Sequence, residues 1–419
     1  MNDEREVSIY RRLAAALFWI AVCVIGIWFT SRVGYGRFLA RYASLTGDAA
    51  AASKAVELSP LDAKAHSTRA AVFYDGGFPH DAATELELAV SLRPKDDLLW
   101  LQLAVLRDEL QHPKALAAFN EAVGRAPFYG HPKWQRGNYL LRIGRYDEAF
   151  ADLRTAAASN QKLIPSLVDL AWGVSRENSE LTKQFAGITD DRMRIAFARF
   201  LAKRGKGPEA IDQFRQSRVV SIADRRQLMA DLITADSFRE AFEIWRGMER
   251  PDDRLTSIHD GSFESSGTFD DSGFGWRFAN STQGARISLD LALPQTGKQS
   301  LLVTFVGYSE ASAPLLSQLV LVQPHKRYRV SFGARAENLV TGGLPIVTVS
   351  EATGKKTLLA QSAPIAAETS VWQSLSFDFE TQTDIEAVEL RLQRRPCKDA
   401  ACPIFGSLWL DSFSIEELK

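Results

Sequence analysis

The sequence predicts a multidomain chain that consists of an N-terminal transmembrane helix, an all-α solenoid and an all-β sandwich. Three observations predict this order. A long uncharged segment comes first, a pattern that repeats every ~34 residues follows it, and the last part consists of short alternating runs of apolar and polar residues. The chain has 419 residues, more than a single hydrophobic core usually accommodates, so separate domains are expected.

The uncharged segment, Leu13 to Thr30, has the length of a membrane span. At ~1.5 Å per residue its helix is ~27 Å long, which crosses most of a bilayer core. A cleaved signal peptide is the alternative, but the bulky Trp28 and Phe29 stand where cleavage needs small residues. We therefore predict a cytoplasmic tail over 1–12 and a transmembrane signal anchor over 13–31, whose helix continues into the first repeat.

Two of the three cysteines, Cys397 and Cys402, lie in one short soluble segment. No further soluble cysteine and no nearby histidine would complete a zinc site, so a disulfide is favoured over a pair of free thiols. A disulfide requires an oxidising compartment. The arginines on the two sides of the anchor balance, so the cysteine pair decides the orientation. The prediction is a single-pass protein of the bacterial inner membrane with its soluble part in the periplasm.

The repeating pattern covers residues 36–250 and is clearest from Ala63 to Asn160. Pro60 and Pro94 are one period apart, and each ends the second helix of a unit because proline lacks the N–H that a helix needs. Alanines at the packing positions let paired helices approach closely, and aromatic residues fill the gaps between pairs. The pattern resembles tetratricopeptide repeats (TPR), which implies about seven stacked helix pairs. A polar linker over 251–257 follows.

The first helices of the units are expected to form a groove for a protein partner. The residues at offsets that point away from the packing positions are Ser67, Tyr74, Leu98, Leu101, Val105, Gln135, Tyr139 and Arg142. Such a groove binds an extended peptide or a partner helix. For the apolar members Leu98, Leu101 and Val105 the alternative is packing against neighbouring helices.

Residues 258–419 carry several short motifs in a recognisable order. They are Asp260-Gly261-Ser262-Phe263-Glu264, Gly275-Trp276, Gly297-Lys298-Gln299-Ser300-Leu301, Val371-Trp372-Gln373 and the segment from Trp409 to Ile415. This order resembles the jelly-roll carbohydrate-binding modules of the family 4/9/22 type, in the galactose-binding-like superfamily. The resemblance implies a β-sandwich whose ligand is a polysaccharide, although many such domains contact proteins instead.

The resemblance also implies a structural calcium ion held by Glu264 and Asp411, together with backbone carbonyls near Asp260 and Lys298. Ser412 departs from the family, which often has a second Asp at that position. The alternative is that both carboxylates only cap turns. No other cofactor is expected.

For glycan contact the candidates are Phe274, Tyr308 and Arg335, because sugars bind to exposed aromatic faces and to groups that fix their hydroxyls. Trp276 and Trp372 occupy positions that fill the core in the family, so we expect them to be buried.

Catalysis finds little support in the sequence. The six histidines are scattered, and no metalloprotease, nucleophile-elbow or phosphate-loop motif occurs. The net charge of −1 disfavours nucleic acid as a partner. The predicted function is a non-enzymatic, membrane-anchored scaffold of bacterial surface polysaccharide assembly or export. One alternative is an envelope complex assembly factor whose sandwich binds protein, and another is a carbohydrate-active enzyme with an unrecognised site.

Overall fold

The computed structural model describes residues 2–249, 255–265, 273–278, 284–308, 311, 313–354, 356–397 and 402–419. The chain divides into two compact units, Met1–Gly187 and Ile188–Lys419. Helices make up the first unit, and the second contains four helices followed by the strands. The predicted order, a long apolar N-terminal helix followed by a TPR-like array of paired helices and a β-sandwich, is confirmed.

The first unit contains ten α-helices among the described residues. They are α1 (Asn2–Thr46), α2 (Ala49–Leu58), α3 (Ala63–Asp75), α4 (Pro79–Leu92), α5 (Asp97–Glu109), α6 (Ala115–Arg125), α7 (Gly130–Arg142), α8 (Tyr146–Ser159), α9 (Ile164–Val174) and α10 (Ser179–Ala186). Consecutive helices pack in pairs, beginning with α1 and α2. The side chains of Asp48, Asp62 and Asp96 accept hydrogen bonds from the first N–H groups of α2, α3 and α5, which fixes where these helices begin.

Alanines bring the paired helices together, as the repeat pattern predicts. Ala82, Ala89, Ala104 and Ala122 are fully buried between neighbouring helices. His66, which takes a packing position of α3, is buried as well, and its Nδ1 lies 2.7 Å from Oε2 of Glu85 on α4. The repeat core therefore contains a buried polar pair in addition to its apolar contacts.

Helix α1 joins the apolar segment to the first repeat without a break. Its portion Ala16–Thr46 is long and apolar enough to cross a membrane by length and composition. Further along the same helix, Ala40 and Ala43 are buried against α2 and α3. Arg32 donates hydrogen bonds to the carbonyl oxygens of Leu58 and Glu57 at the end of α2, both at 3.1 Å. The first repeat therefore begins within the same helix as the candidate membrane span.

The second unit begins with two further helix pairs, α11 (Asp191–Ala202) with α12 (Gly207–Arg215) and α13 (Ile222–Thr234) with α14 (Phe238–Glu249). Arg199 of α11 forms an ion pair with the buried Asp231 of α13, with 2.8 Å between Nε and Oδ2. The weaker repeat pattern after Asn160 thus still folds as paired helices.

In the described part of the sandwich, ten strands form two antiparallel sheets that pack face to face. They are β1 (Arg277–Phe278), β2 (Ala285–Asp290), β3 (Ser300–Tyr308), β4 (Leu316–Leu321), β5 (Arg327–Thr341), β6 (Pro345–Glu351), β7 (Leu358–Gln361), β8 (Gln373–Glu380), β9 (Ala387–Arg394) and β10 (Pro403–Leu418). The first sheet has the order β1-β4-β9-β6-β7 and the second the order β2-β3-β10-β5-β8. Trp276 lies in the shared core as expected, whereas Trp372 is only half-buried.

The last helix, α14, packs against the start of the sandwich within the second unit. Trp245 is fully buried, and its ring centroid lies 5.0 Å from that of His259 and 5.9 Å from that of Phe274. The side chain of Gln318 on β4 in turn pairs with the main chain of His259, through bonds of 2.7 and 2.9 Å. A continuous row of contacts therefore connects α14 to the first sheet.

Candidate functional site

A pocket of about 260 Å³ opens between α3 and α5 in the first unit. It is lined by Ser67, Ala70, Ala71, Tyr74, Leu86, Gln102, Val105, Leu106 and Glu109. Three of the predicted groove residues, Ser67, Tyr74 and Val105, therefore line one pocket. Gln102 and Glu109 also line it and were not among the predicted groove residues, although both lie on the same first helix as Val105.

The pocket combines an apolar base with a hydrogen-bonding edge. Ala70, Leu86 and Leu106 are buried at its base. At the edge, a hydrogen bond to Glu109, together with the charge of that carboxylate, raises the pKa of the exposed Tyr74 hydroxyl. An apolar side chain of a partner fits the buried bottom of the pocket. The carboxylate of Glu109 at the edge favours a neighbouring amide or positively charged group of that partner.

The other predicted groove residues have different surroundings. Leu98 is 58% exposed, while Leu101 is only 5% exposed and packs with Phe119 in the core between α5 and α6. The groove prediction is therefore wrong for Leu101, because its position on α5 faces α6. Of the three predicted residues on α7, Gln135 is half-buried, Tyr139 packs its ring at a tilt against Phe119 of α6, and Arg142 pairs with Asp108 of α5. Tyr139 and Arg142 therefore also connect successive repeats.

The outer face of the second sheet carries a polar cluster around Arg335. The guanidinium group of Arg335 lies 5.9 Å from the ring centroid of Trp409 on β10 and 2.9 Å from a carboxylate oxygen of Glu337. The indole N–H of Trp409 donates to Oδ2 of Asp290 at 2.7 Å. Nε of Arg335 is buried and has no acceptor among the described residues. The Arg335 side chain as a whole is 22% exposed, so part of it remains accessible on this face.

An exposed apolar row crosses the same sheet next to this cluster. The strand register pairs Phe405 of β10 with Val306 of β3 on one side and with Val340 of β5 on the other. These three side chains are 49%, 50% and 68% exposed. Phe405 lies on the same side of β10 as Trp409, since side chains alternate along a strand. The face therefore offers an aromatic and aliphatic surface beside charged groups.

Of the three predicted glycan contacts, the structure contradicts one, describes one on the sheet face and leaves one outside the described side chains. Phe274 is only 2% exposed and packs against Phe242 and Trp245 of α14, so it cannot present its ring to a ligand. Its prediction as a surface contact is wrong because its ring is covered by two aromatic side chains of the preceding helix. The side chain of Tyr308 lies outside the described residues. Arg335 remains as the predicted candidate on the sheet face.

Glu264 and Asp411 meet at one turn, as the family resemblance implies, but both accept main-chain hydrogen bonds there. Oε1 of Glu264 accepts from the N–H groups of Lys298 and Gln299, at 2.7 and 3.2 Å. Oδ2 of Asp411 accepts from Gln295 at 2.8 Å and from the next N–H at 3.0 Å. Calcium requires six to eight oxygen ligands, and no group of three acidic, His or Cys side chains is found in the described parts. The geometry fits turn capping.

The structure joins Cys397 to Cys402, with 5.8 Å between their Cα atoms. The buried guanidinium of Arg394 lies beside this disulfide and donates to the hydroxyl of Thr341 at 2.8 Å. The pair therefore closes a small loop at one end of the sandwich, where β9 leads to β10.

One protein-family model matches the part of the chain that forms the sandwich. Residues 258–399 match the model of a carbohydrate binding domain. The matched segment begins just before the first predicted motif and ends within the segment of the cysteine pair. A search of curated proteins finds no match.

Solved structures resemble the two halves of the chain separately. A CBM4 structure is 16% identical and covers 38% of this chain and 99% of its own, with a TM-score of 0.30. YrrB, described as a TPR protein with an unusual peptide-binding site, is 18% identical and covers 44% and 86%, with a TM-score of 0.32. MamA is 15% identical and covers 47% and 100%, also with a TM-score of 0.32. At these identities the likeness concerns the fold alone.

Proposed function

We propose that this chain is a non-enzymatic, membrane-anchored scaffold in the assembly or export of bacterial surface polysaccharide of the exopolysaccharide or O-antigen type. Its repeats bind a segment of a partner protein, and its sandwich binds glycan. The observation that carries the proposal is the open pocket between α3 and α5, which joins an apolar base to a hydrogen-bonding edge. Stacked helix repeats are built to bind partners along such surfaces.

Partner binding in this pocket is tested with a substitution that fills the cavity and leaves the buried core residues unchanged. Ala71 lines the pocket and is exposed, so Ala71→Arg places a long side chain there at little cost to folding. Ala117, an exposed residue of α6 outside the pocket lining, gives the matched control Ala117→Arg. A photo-reactive amino acid at Gln102 of the full chain, activated in cells, captures the partner.

We expect one discrete crosslinked product that Ala71→Arg abolishes and Ala117→Arg preserves. A product that survives Ala71→Arg contradicts binding in the pocket. Equal loss in both variants contradicts it as well, because it indicates a general effect of the added charge.

The glycan half of the proposal is supported by the family match and by the face around Arg335. Affinity electrophoresis of the full chain in neutral detergent, through gels that contain candidate surface polysaccharides, measures binding directly. Arg335→Gln and Phe405→Ala should each abolish the retardation, because one removes a charged donor and the other an exposed ring. Val371→Ala, at an exposed site in a loop, should leave it unchanged.

The exposed row of Val306, Phe405 and Val340 favours one other function, an envelope complex assembly factor whose sandwich binds protein. Apolar rows on a sheet are common at protein interfaces. Absence of retardation by every polysaccharide, together with a crosslinked protein captured from position 405, would exclude glycan as the ligand and support this alternative.

The membrane span and the periplasmic location belong to the same proposal. Helix α1 is long and apolar enough for a single span, and the Cys397–Cys402 disulfide is typical of an oxidising compartment. Maleimide labelling of both cysteines in the folded chain tests the location. We expect labelling only after reduction, whereas two freely reactive thiols would contradict a periplasmic site.

A further inference from the structure

A second pocket, of about 410 Å³, lies between α1 and α3 in the first unit. Its lining includes Arg37 and Arg41 on α1, Asp62 and Lys64 at the start of α3, and Arg93, which follows α4. Arg37 and Arg41 are one helical turn apart and so lie on the same side of α1. Four cationic side chains thus surround a single carboxylate.

The carboxylate of Asp62 positions two of these cations. Its Oδ2 lies 3.0 Å from Nε of Arg37, and its Oδ1 lies 3.7 Å from the guanidinium of Arg93. Burial raises the pKa of Asp62, but the hydrogen bonds from Arg37 and from the main chain of Lys64 lower it further, so the group stays ionised at neutral pH. Asp62 therefore holds two guanidinium groups at the pocket and neutralises only one of the four charges.

The other two cations have no acidic partner. Neither Arg41 nor Lys64 lies within ion-pair distance of a carboxylate among the side chains that the structure describes. The whole chain has a net charge of −1, so this excess is local. Like charges that converge on one cavity repel each other, and an anion bound between them removes that cost.

We propose that this pocket binds a phosphate-bearing anion, with Arg41 and Lys64 as its direct contacts. A phosphate group suits the site better than a lone carboxylate, because it offers more acceptor oxygens and, as a monoester or pyrophosphate, more negative charge. Arginine in particular donates two parallel hydrogen bonds to phosphate oxygens. The cavity is large enough for a pyrophosphate or for the headgroup of a phospholipid.

Two sources offer this chemistry, a lipid headgroup and a soluble phosphate. The uncharged segment of α1 ends at Thr30. Arg37 lies seven residues further along the same helix, a distance of ~10 Å at ~1.5 Å per residue. The headgroup layer extends ~5–7 Å beyond the hydrocarbon on each side, so the pocket opens close to its outer edge. The lipid source rests on the proposed membrane insertion of α1, whereas the soluble source does not.

The test uses the full chain in neutral detergent and isothermal titration calorimetry. The probes are pyrophosphate, short-chain phosphatidylglycerol and, as the control whose zwitterionic headgroup has no net charge, short-chain phosphatidylcholine. The double variant Arg41→Gln/Lys64→Gln removes both direct contacts and leaves the ion pairs of Asp62 intact. Lys114→Gln/Lys162→Gln removes the same charge from exposed sites of the first unit outside the pocket.

We expect the pocket variant to weaken binding of the preferred anion by about 10-fold or more, and the control variant by less than about 2-fold. Tighter binding of phosphatidylglycerol than of pyrophosphate assigns a lipid headgroup, and the reverse assigns a soluble phosphate. The proposal is overturned if the wild type binds neither anion, or if the two variants lose affinity equally. Neither result affects the crosslinking test of the pocket between α3 and α5.

Discussion

Trp245 holds the last helix against the sandwich, and its truncation is the sharpest test of this packing. The side chain is fully buried in the second unit. Its ring contacts Phe242 on the same helix, and His259 and Phe274 in the segments that lead into the first strand of the sandwich. Trp245→Ala removes the ring that all three contact. The variant keeps the helix, since alanine is the best helix former.

The expected loss follows from the area that the ring buries. A buried aromatic side chain removes ~150–250 Å² from water. At ~25 cal/mol per Å² this corresponds to ~4–6 kcal/mol, while large-to-small substitutions of buried aromatic residues cost about 3–5 kcal/mol. We therefore expect Trp245→Ala to lower the free energy of unfolding of the second unit by about 4 kcal/mol.

Hydrogen exchange measured by mass spectrometry on the full chain in neutral detergent locates the loss. Faster exchange is expected in α14 and also in residues 258–263, because one side chain joins the two segments. Trp172→Ala is the matched control, since Trp172 is a buried tryptophan of the first unit. It should speed exchange around α9 and leave α14 unchanged.

Two results would refute the reasoning. One is faster exchange in α14 with unchanged protection of the segment that contains His259, which would mean that the helix and the sandwich are held independently. The other is a loss of less than about 1 kcal/mol, which would mean that the ring is not buried in solution as described.

Three further predictions concern the turn and the buried charges of the sandwich. Gly297 has a φ of +69°, and an added Cβ would lie 2.2 Å from Oε1 of Glu264, so Gly297→Ala should cost more in urea unfolding than Gly205→Ala, where φ is +70° and the space is open. We expect about 1 kcal/mol for the backbone alone and about 1 kcal/mol more at Gly297; equal costs would contradict the contact. Burial raises the pKa of Glu389, but the neighbouring arginines lower it further, so its pKa lies below its ordinary value. The stabilising effect of the ionised carboxylate is then present above the ordinary pKa of 4.5 and is lost as the pH falls through the lowered pKa. Acid unfolding curves should therefore show a weaker pH dependence below the ordinary pKa for Glu389→Gln than for the wild type. Because Glu264 and Asp411 accept main-chain hydrogen bonds at this turn, we expect the wild type to melt identically in calcium and in EDTA; a Tm that calcium raises in the wild type and not in Glu264→Gln would instead support the ion that the family resemblance implies.

The fold could be predicted from the sequence because both halves repeat a local pattern. The spacing of Pro60 and Pro94 records the length of one helix pair, and alanines such as Ala82 and Ala104 mark where helices touch. Alternation of apolar and polar residues likewise marks strands such as β5 without reference to any partner. These signals are local, so no knowledge of tertiary contacts is needed to interpret them.

The candidate sites depend on contacts between distant segments and were predicted only in part. Phe274 looks like a loop residue in the sequence, and only the packing of α14 explains its burial. Arg335 and Trp409 meet because β5 and β10 pair in a register that the sequence does not specify. The spacing of Arg37 and Arg41 was a visible signal, but Lys64 and Arg93 join them only in the folded unit.

Helix α3 lines both pockets of the first unit, and this limits how the two can influence each other. Lys64 and Thr68 face the basic pocket, whereas Ser67 and Tyr74 face the pocket toward α5. Energetic coupling between sites requires an element with two arrangements that each ligand favours differently. Ala63 and Ala70 of α3 pack in one core with residues of α4 and α5, which holds the helix in a single arrangement. The two pockets are therefore best understood as independent sites on one rigid helix, the first facing the anchor helix and the second the next repeat.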